Sequence, residues 1–388
     1  MKKIYFDNAA TTPLHPKVLE KMVQFLKEDF GNPSSIHSFG RKVRVAIEKV
    51  RETVAEFINA KPSEIYFTSG GTEANNFVVF GIANANYIET GLKEIITTKA
   101  EHHSVLDSLL QLEKLGFSVK FLDVNKTIKV DLQTVQQLVT NETSLVSIIH
   151  INNETGSIND IKTLASTIKK NNLYFHTDAV QSFGKVKIDV NELLIDALTA
   201  SAHKINGPKG IGFAYVRSGT PISPLIYGGS QERNRRGGTE NVAGIIGLGE
   251  AINILKNSNA HQNSNYEYVS KLRTRFIEGL RTIDKNGLII NGDENNFPYI
   301  LSVTFSSEFY NNDSEAMLMY LDINGIAASN GSACTSGTLK PSHVILSSGK
   351  SLEDANGTIR FSFGLENTLD EVDYALEIVK KMTEKFKK

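Results

Sequence analysis

The chain has 388 residues, 40% hydrophobic and 22% charged, with a formal net charge of −1 and a single cysteine. That length supports a large core shared between two domains, or a large domain with a smaller partner, and the composition excludes a disordered chain. Balanced charge argues against a nucleic-acid or anionic-membrane surface, no apolar run reaches the roughly 20 residues of a membrane span, and one cysteine makes neither an internal disulfide nor a multi-thiolate metal site.

The first residues, Met1 to Asn8, carry two lysines and too few apolar residues to form a secretory signal, so a cytoplasmic protein is expected. Val43, Ile47, Val50, Val54 and Phe57 recur at steps of four and three, which predicts an amphipathic helix running to about Ala60. Short apolar runs follow at 65–67, 95–97, 119–121, 145–149, 173–175 and 197–199, separated by helical patterns at 104–115, 131–139 and 160–171. Strands interleaved with helices predict an α/β fold with a mainly parallel, helix-covered sheet. The polar stretch 257–265 is the best internal boundary. Beyond it a helix near 266–283, strands near 287–291 and 300–305, a helix near 314–324 and a last helix from Asp370 predict a smaller α/β domain. The expected division is 15–256 for the large domain, with 1–14 and 257–388 forming the small one.

Three segments carry chemistry. In Phe67-Thr68-Ser69-Gly70-Gly71-Thr72-Glu73, glycines and a hydroxyl stand between a strand and a helix, where backbone N–H groups can cradle a phosphate; a simple glycine turn with a helix cap fits as well. Asp178 ends an apolar strand, at the carboxyl end of a parallel sheet where ligands bind, although an acidic residue there is more often a helix cap. Lys204 follows the next buried strand, in Ser201-Ala202-His203-Lys204-Ile205-Asn206-Gly207-Pro208, whereas an ordinary lysine lies on a solvated face. A lysine that can form a Schiff base, an acid for a pyridine nitrogen and a phosphate cradle are what pyridoxal phosphate needs.

With these segments the chain resembles the class V, fold-type I pyridoxal-phosphate enzymes, and within them the cysteine desulfurases of the NifS/IscS type. The similarity extends over nearly the whole chain, through 5–13, 31–35, Glu101-His102-His103, 152–156, the Asp178 and Lys204 segments, Arg235-Arg236-Gly237-Gly238-Thr239-Glu240-Asn241, Gly331-Ser332-Ala333-Cys334-Thr335-Ser336-Gly337 and Ile359-Arg360-Phe361-Ser362. The resemblance implies that Lys204 holds pyridoxal 5′-phosphate covalently, Asp178 pairs with its ring nitrogen, Gln181 bonds its phenolic oxygen and Asn153 lies near the same edge. It implies phosphate contacts from Gly71, Thr72, Ser201 and His203 and from Thr239 of a second subunit, hence a homodimer. His102 would stack on the ring and carry protons, and Arg360 with Asn153 would hold the substrate carboxylate. Without the family, His102 reads as a helix-start residue, and Arg360 fits half of a structural ion pair as well as a carboxylate-binding role.

Cys334 stands among small, flexible residues that offer nothing to bury it, unlike the usual buried cysteine. The resemblance makes it the persulfide carrier, with L-cysteine as substrate, alanine as product and a sulfur-acceptor protein such as an iron–sulfur scaffold as partner. Two departures from the family pattern stand out: Gly364 is followed by Leu365-Glu366 where Arg-Phe is usual, and the chain ends without the longer tail of some IscS-type members. Selenocysteine lysis fits the same residues. A transaminase would need no Cys334, and a non-catalytic scaffold would have lost Lys204, Asp178 or Cys334.

Overall fold

The computed structural model describes residues 3–169, 173–257, 264–293, 295–331 and 341–388. The strands in chain order are β1 (Ile4–Tyr5), β2 (Ile65–Thr68), β3 (Glu94–Thr98), β4 (Ser118–Leu122), β5 (Thr143–Ser147), β6 (Tyr174–Asp178), β7 (Ala197–Ser201), β8 (Gly212–Val216), β9 (Leu288–Ile290), β10 (Ile300–Phe305), β11 (Ile326–Ala327) and β12 (Thr358–Ser362). Seven of them form one sheet in the order β2-β8-β7-β6-β5-β3-β4, parallel throughout except at β8, which runs against both neighbours. The carboxyl ends of β2, β3, β5, β6 and β7 therefore open on the same edge.

This sheet is covered on both faces, and its sequence shows it. All five residues of β3, β5, β7 and β8 are buried, and hydroxyls within the sheet find carbonyls inside: Thr97 Oγ1 of β3 donates to Ser147 O at 3.0 Å and Thr177 Oγ1 of β6 to Ile148 O at 2.8 Å. The helix Ser38–Phe57 lays the expected stripe of Val43, Ile47, Val50 and Val54 into this core. Each such side chain contributes about 1.5–3 kcal/mol by leaving water. The helix Val242–Asn257 packs beside it with an almost wholly apolar sequence. No helix among the described residues is long and apolar enough to cross a membrane.

A second core forms around the antiparallel sheet β12-β10-β9 and the helices Ser264–Asp284 and Leu369–Phe386. Phe6, Phe276, Phe361 and Phe363 stack at its centre, with Phe276–Phe361 centroids 4.8 Å apart and Phe6–Phe363 5.3 Å. Ile4, Phe6 and Ala9 belong to this core, and β1 pairs in parallel with β11. The sequence did not disclose β8, the helix Pro16–Lys27, or the one-turn helices His343–Ser347 and Leu352–Asn356. Residues 258–263 of the polar boundary stretch lie outside the described residues.

Candidate active site

The open edge of the sheet frames a cavity of about 340 Å³, within the range of small-molecule sites. β2 reaches it through Gly70, whose φ of 155° and ψ of −175° belong to a region that glycine alone occupies without strain. A Cβ on Gly71 would stand 2.8 Å from Val180 Cγ2. Glycine at both positions thus lets the chain turn sharply into the helix Gly71–Thr90 and sets first-turn N–H groups, which have no intrahelical partner, at the cavity wall beside Thr72.

β6 delivers Asp178, whose Oδ1 accepts from Val180 N at 2.9 Å and whose Oδ2 accepts from Asn75 Nδ2 at 2.7 Å. Asn75 is a bridge: the same amide donates to Ser104 Oγ at 2.8 Å and its oxygen accepts from Thr199 Oγ1 at 2.5 Å. β7 ends in Ser201 and turns through a 3-10 segment, Ala202–Lys204. Lys204 Nζ donates to Ala9 O at 2.6 Å and to Ala10 O at 2.7 Å. Gln181 Nε2 donates to Ala9 O at 2.9 Å, so the N-terminal segment is clamped over the lysine.

His203 lies 3.2 Å from Thr11 Oγ1, and burial, with the charges of Lys204, Lys209 and Lys185 adding, holds its imidazole down to about 4. Its ring is neutral at physiological pH. His102 caps the helix His103–Lys114, its Nδ1 accepting from Ser104 N at 3.1 Å. In the neutral ring that acceptor places the proton on Nε2. Burial, foremost, holds this imidazole below its usual range, with Asp178 opposing and Lys204 reinforcing. His102 is both the helix-start residue and part of the cavity wall.

Arg360 enters from β12. Its Nη1 donates to Asn153 O at 2.9 Å, and its Nη2 pairs with Asp7 Oδ1 at 2.9 Å and donates to Ser329 Oγ at 2.7 Å. The side chain is both an ion-pair partner and a wall of the cavity. Gly71, Thr72, His102, Asn153, Asp178, Gln181, Ser201, His203, Lys204 and Arg360 are thus brought together. Thr239 is not: it is exposed and lines a separate cleft with Phe67, Thr68 and Arg236. Cys334 lies outside the described residues, while Gly331, three positions before it, lines the cavity.

Sequence reasoning missed Asn75, Ser104 and the carbonyls of Ala9 and Ala10. For Asn75 there was a signal: it stands four residues after Gly71, on the same helix face. The bonds of Lys204 to residues 9 and 10 left none.

The profile described as Aminotransferase class-V matches residues 4–375. The chain belongs to the class-V aminotransferase family. Among its class-V relatives, the cysteine desulfurase IscS of Dictyoglomus turgidum is 45% identical over 389 residues, covering 100% of this chain and 96% of that protein. A solved NifS-like protein superposes with a TM-score of 0.90 at 37% identity, covering 99% of this chain and all of that one. A second structure, SspA in complex with cysteine, gives 0.80 at 34% identity, over 94% of this chain and all of that one.

Class-V enzymes of this kind depend on pyridoxal 5′-phosphate, and the lining fits that group. Gln181 Oε1, Asn153 Oδ1 and Arg360 Nε are buried with no hydrogen-bond partner among the described residues, and all three residues line the cavity that also holds the lysine, the carboxylate and the glycine cradle. Buried polar atoms left unpaired are costly, so a ligand that satisfies them is bound the more firmly.

Proposed function

We propose that the chain is a cysteine desulfurase, converting L-cysteine and the Cys334 thiol into L-alanine and a persulfide on Cys334. The observation that carries this reading is the convergence of Lys204, Asp178 and the Gly70–Gly71 turn on one cavity whose wall runs to Gly331, just ahead of the chain's one cysteine.

Bound pyridoxal 5′-phosphate supplies an electron sink for the pair released at the substrate Cα. Lys204 Nζ is its covalent anchor and the base for the Cα proton. Asp178, fixed by Asn75 and the Val180 N–H, keeps a proton on the pyridine nitrogen. Gln181 would hydrogen-bond the phenolic oxygen, while the first-turn amide of Gly71, Thr72, Ser201 and His203 would hold the phosphate together with Thr239 of the partner subunit. Arg360 and Asn153 orient the substrate carboxylate, a role for which a guanidinium fork is suited. His102 handles the proton of the substrate thiol. Cys334 Sγ, as thiolate, attacks the substrate sulfur: an S–S bond forms, the Cβ–S bond breaks, and Cβ is protonated to give alanine.

A homodimer follows from the role of Thr239. Supporting it, Phe30 (69% exposed), Ile36 (89%), Phe39 (56%) and Tyr227 (81%) lie bare, and the rings of Phe30 and Phe39 pair at 5.8 Å. Residues 15–256 act as the cofactor domain, and 1–14 with 257–388 as the domain bearing Cys334. The protein works in the cytoplasm and passes its sulfur to an acceptor protein such as an iron–sulfur scaffold.

Incubating the holoprotein with L-cysteine tests the reading. Equimolar alanine and a one-sulfur mass gain on the peptide containing Cys334 are expected in a single turnover. Alanine or a keto acid formed with no sulfur on that peptide would overturn it.

A further inference from the structure

Behind Lys204 lies a second cavity, of about 370 Å³, which shares that lysine with the active site. It sits where the two cores meet: Ile205 and Ala251 belong to the first core and Tyr299 and Phe363 to the second, with Ile254 and Leu255 completing a mostly apolar wall. The sulfur chemistry makes no use of it.

Lys185 gives this cavity its character. Its Nζ makes no hydrogen bond or ion pair among the described residues, and its contacts are the faces of Tyr299 at 5.3 Å and Phe297 at 5.9 Å. Burial, with the charge of Lys204 adding, holds the amine down to about 7. An ammonium in an apolar setting without a counter-ion is costly, so an anion that enters and pairs with it removes that cost, and an apolar body attached to the anion gains by covering the walls. At the mouth stand Leu365 and Glu366, the pair at which the sequence departs from the Arg-Phe of its family. Lys185 offers one cationic group, and the Glu366 carboxylate opposes further negative charge, so a ligand with a single anionic group fits best.

We propose that this cavity is a second binding site, for a small monocarboxylate with an apolar body, its carboxylate seated on Lys185 Nζ. The test is calorimetric titration of the holoenzyme with 3-phenylpropanoate and, as neutral and cationic counterparts, 3-phenylpropan-1-ol and 3-phenylpropylamine. The acid is expected to bind once per chain, and the alcohol and amine at least about tenfold more weakly. Lys185→Met is expected to lose at least about tenfold of the acid's affinity, and so is Ile254→Phe, which fills the cavity while keeping the lysine. Arg360→Lys, altering the catalytic cavity instead, is expected to bind the acid as the wild type does. Equal binding of alcohol and acid, retained affinity in Lys185→Met or Ile254→Phe, loss of affinity in Arg360→Lys, or binding of none of the probes would each overturn the proposal.

Discussion

Glu101 is fully buried one residue before His102, with Oε1 accepting from Thr98 Oγ1 and Ile149 N at 2.8 Å each and Oε2 unpartnered among the described residues. Burial pushes its carboxyl up to about 8 against the pull of those two hydrogen bonds, and the Asp178 charge adds to the rise. The folded chain thus keeps a proton that the unfolded chain releases once the pH passes the usual carboxylate range. Its contribution to stability is full in acid and is lost as the pH climbs towards about 8. Relative to Glu101→Gln, which keeps the Oε1 acceptor and cannot ionise, the wild type is expected to lose stability between pH 6 and pH 8, read as urea midpoints; a constant difference would contradict the assignment. At this scale the sequence disclosed what position alone decides: Asp178 stood out because it ends a buried strand and Lys204 because it follows the next one. Asn75 did not, because its function is a hydrogen bond to a carboxylate 103 residues away.

Periodicity revealed most of the long elements, though not the twelve-residue helix Pro16–Lys27, and failed on the short or glycine-rich ones. β8 is hidden because residues 207–212 carry Gly207, Pro208, Gly210 and Gly212 and read as a turn. Gly212 nevertheless opens the strand, since a Cβ there would stand 2.5 Å from Ala200 O and 2.8 Å from Gly70 Cα. The glycine that obscures the strand is the one that lets the Gly70–Gly71 turn lie against it. The helices His343–Ser347 and Leu352–Asn356 are too short to show a period. The turn itself is open to test: Gly70→Ala forces a side chain into a glycine-only conformation, at a cost of about 1–3 kcal/mol. Denaturant unfolding is expected to show that loss, and the cofactor is expected to leave the variant faster than the wild type. Unchanged cofactor release would mean that the turn does not hold the phosphate.

Across the whole molecule, Arg360 joins three parts of the chain, reaching Asp7, Asn153 and Ser329 from β12. The two cores, the N-terminal segment clamped over Lys204 and the cavity between them make one assembly in which the site depends on parts far apart in sequence. Composition and element order disclosed the α/β class; the joining contacts have no sequence period and were invisible. The exposed Phe30, Ile36, Phe39 and Tyr227, with Thr239 outside the cavity of its own chain, lead us to expect a dimer by light scattering, and Thr239→Val to loosen the cofactor without dissociating that dimer. A fully active monomer would contradict both.

The division of labour between Lys204 and Cys334 is the central claim, and comparing the wild type with Cys334→Ala in a single turnover with L-cysteine tests it most directly. The composition offers no second thiol to stand in for the one removed. The account predicts that Cys334→Ala retains the cofactor and still changes its absorption spectrum when L-cysteine is added, yet releases almost no alanine. Alanine release by Cys334→Ala at the wild-type rate would contradict it.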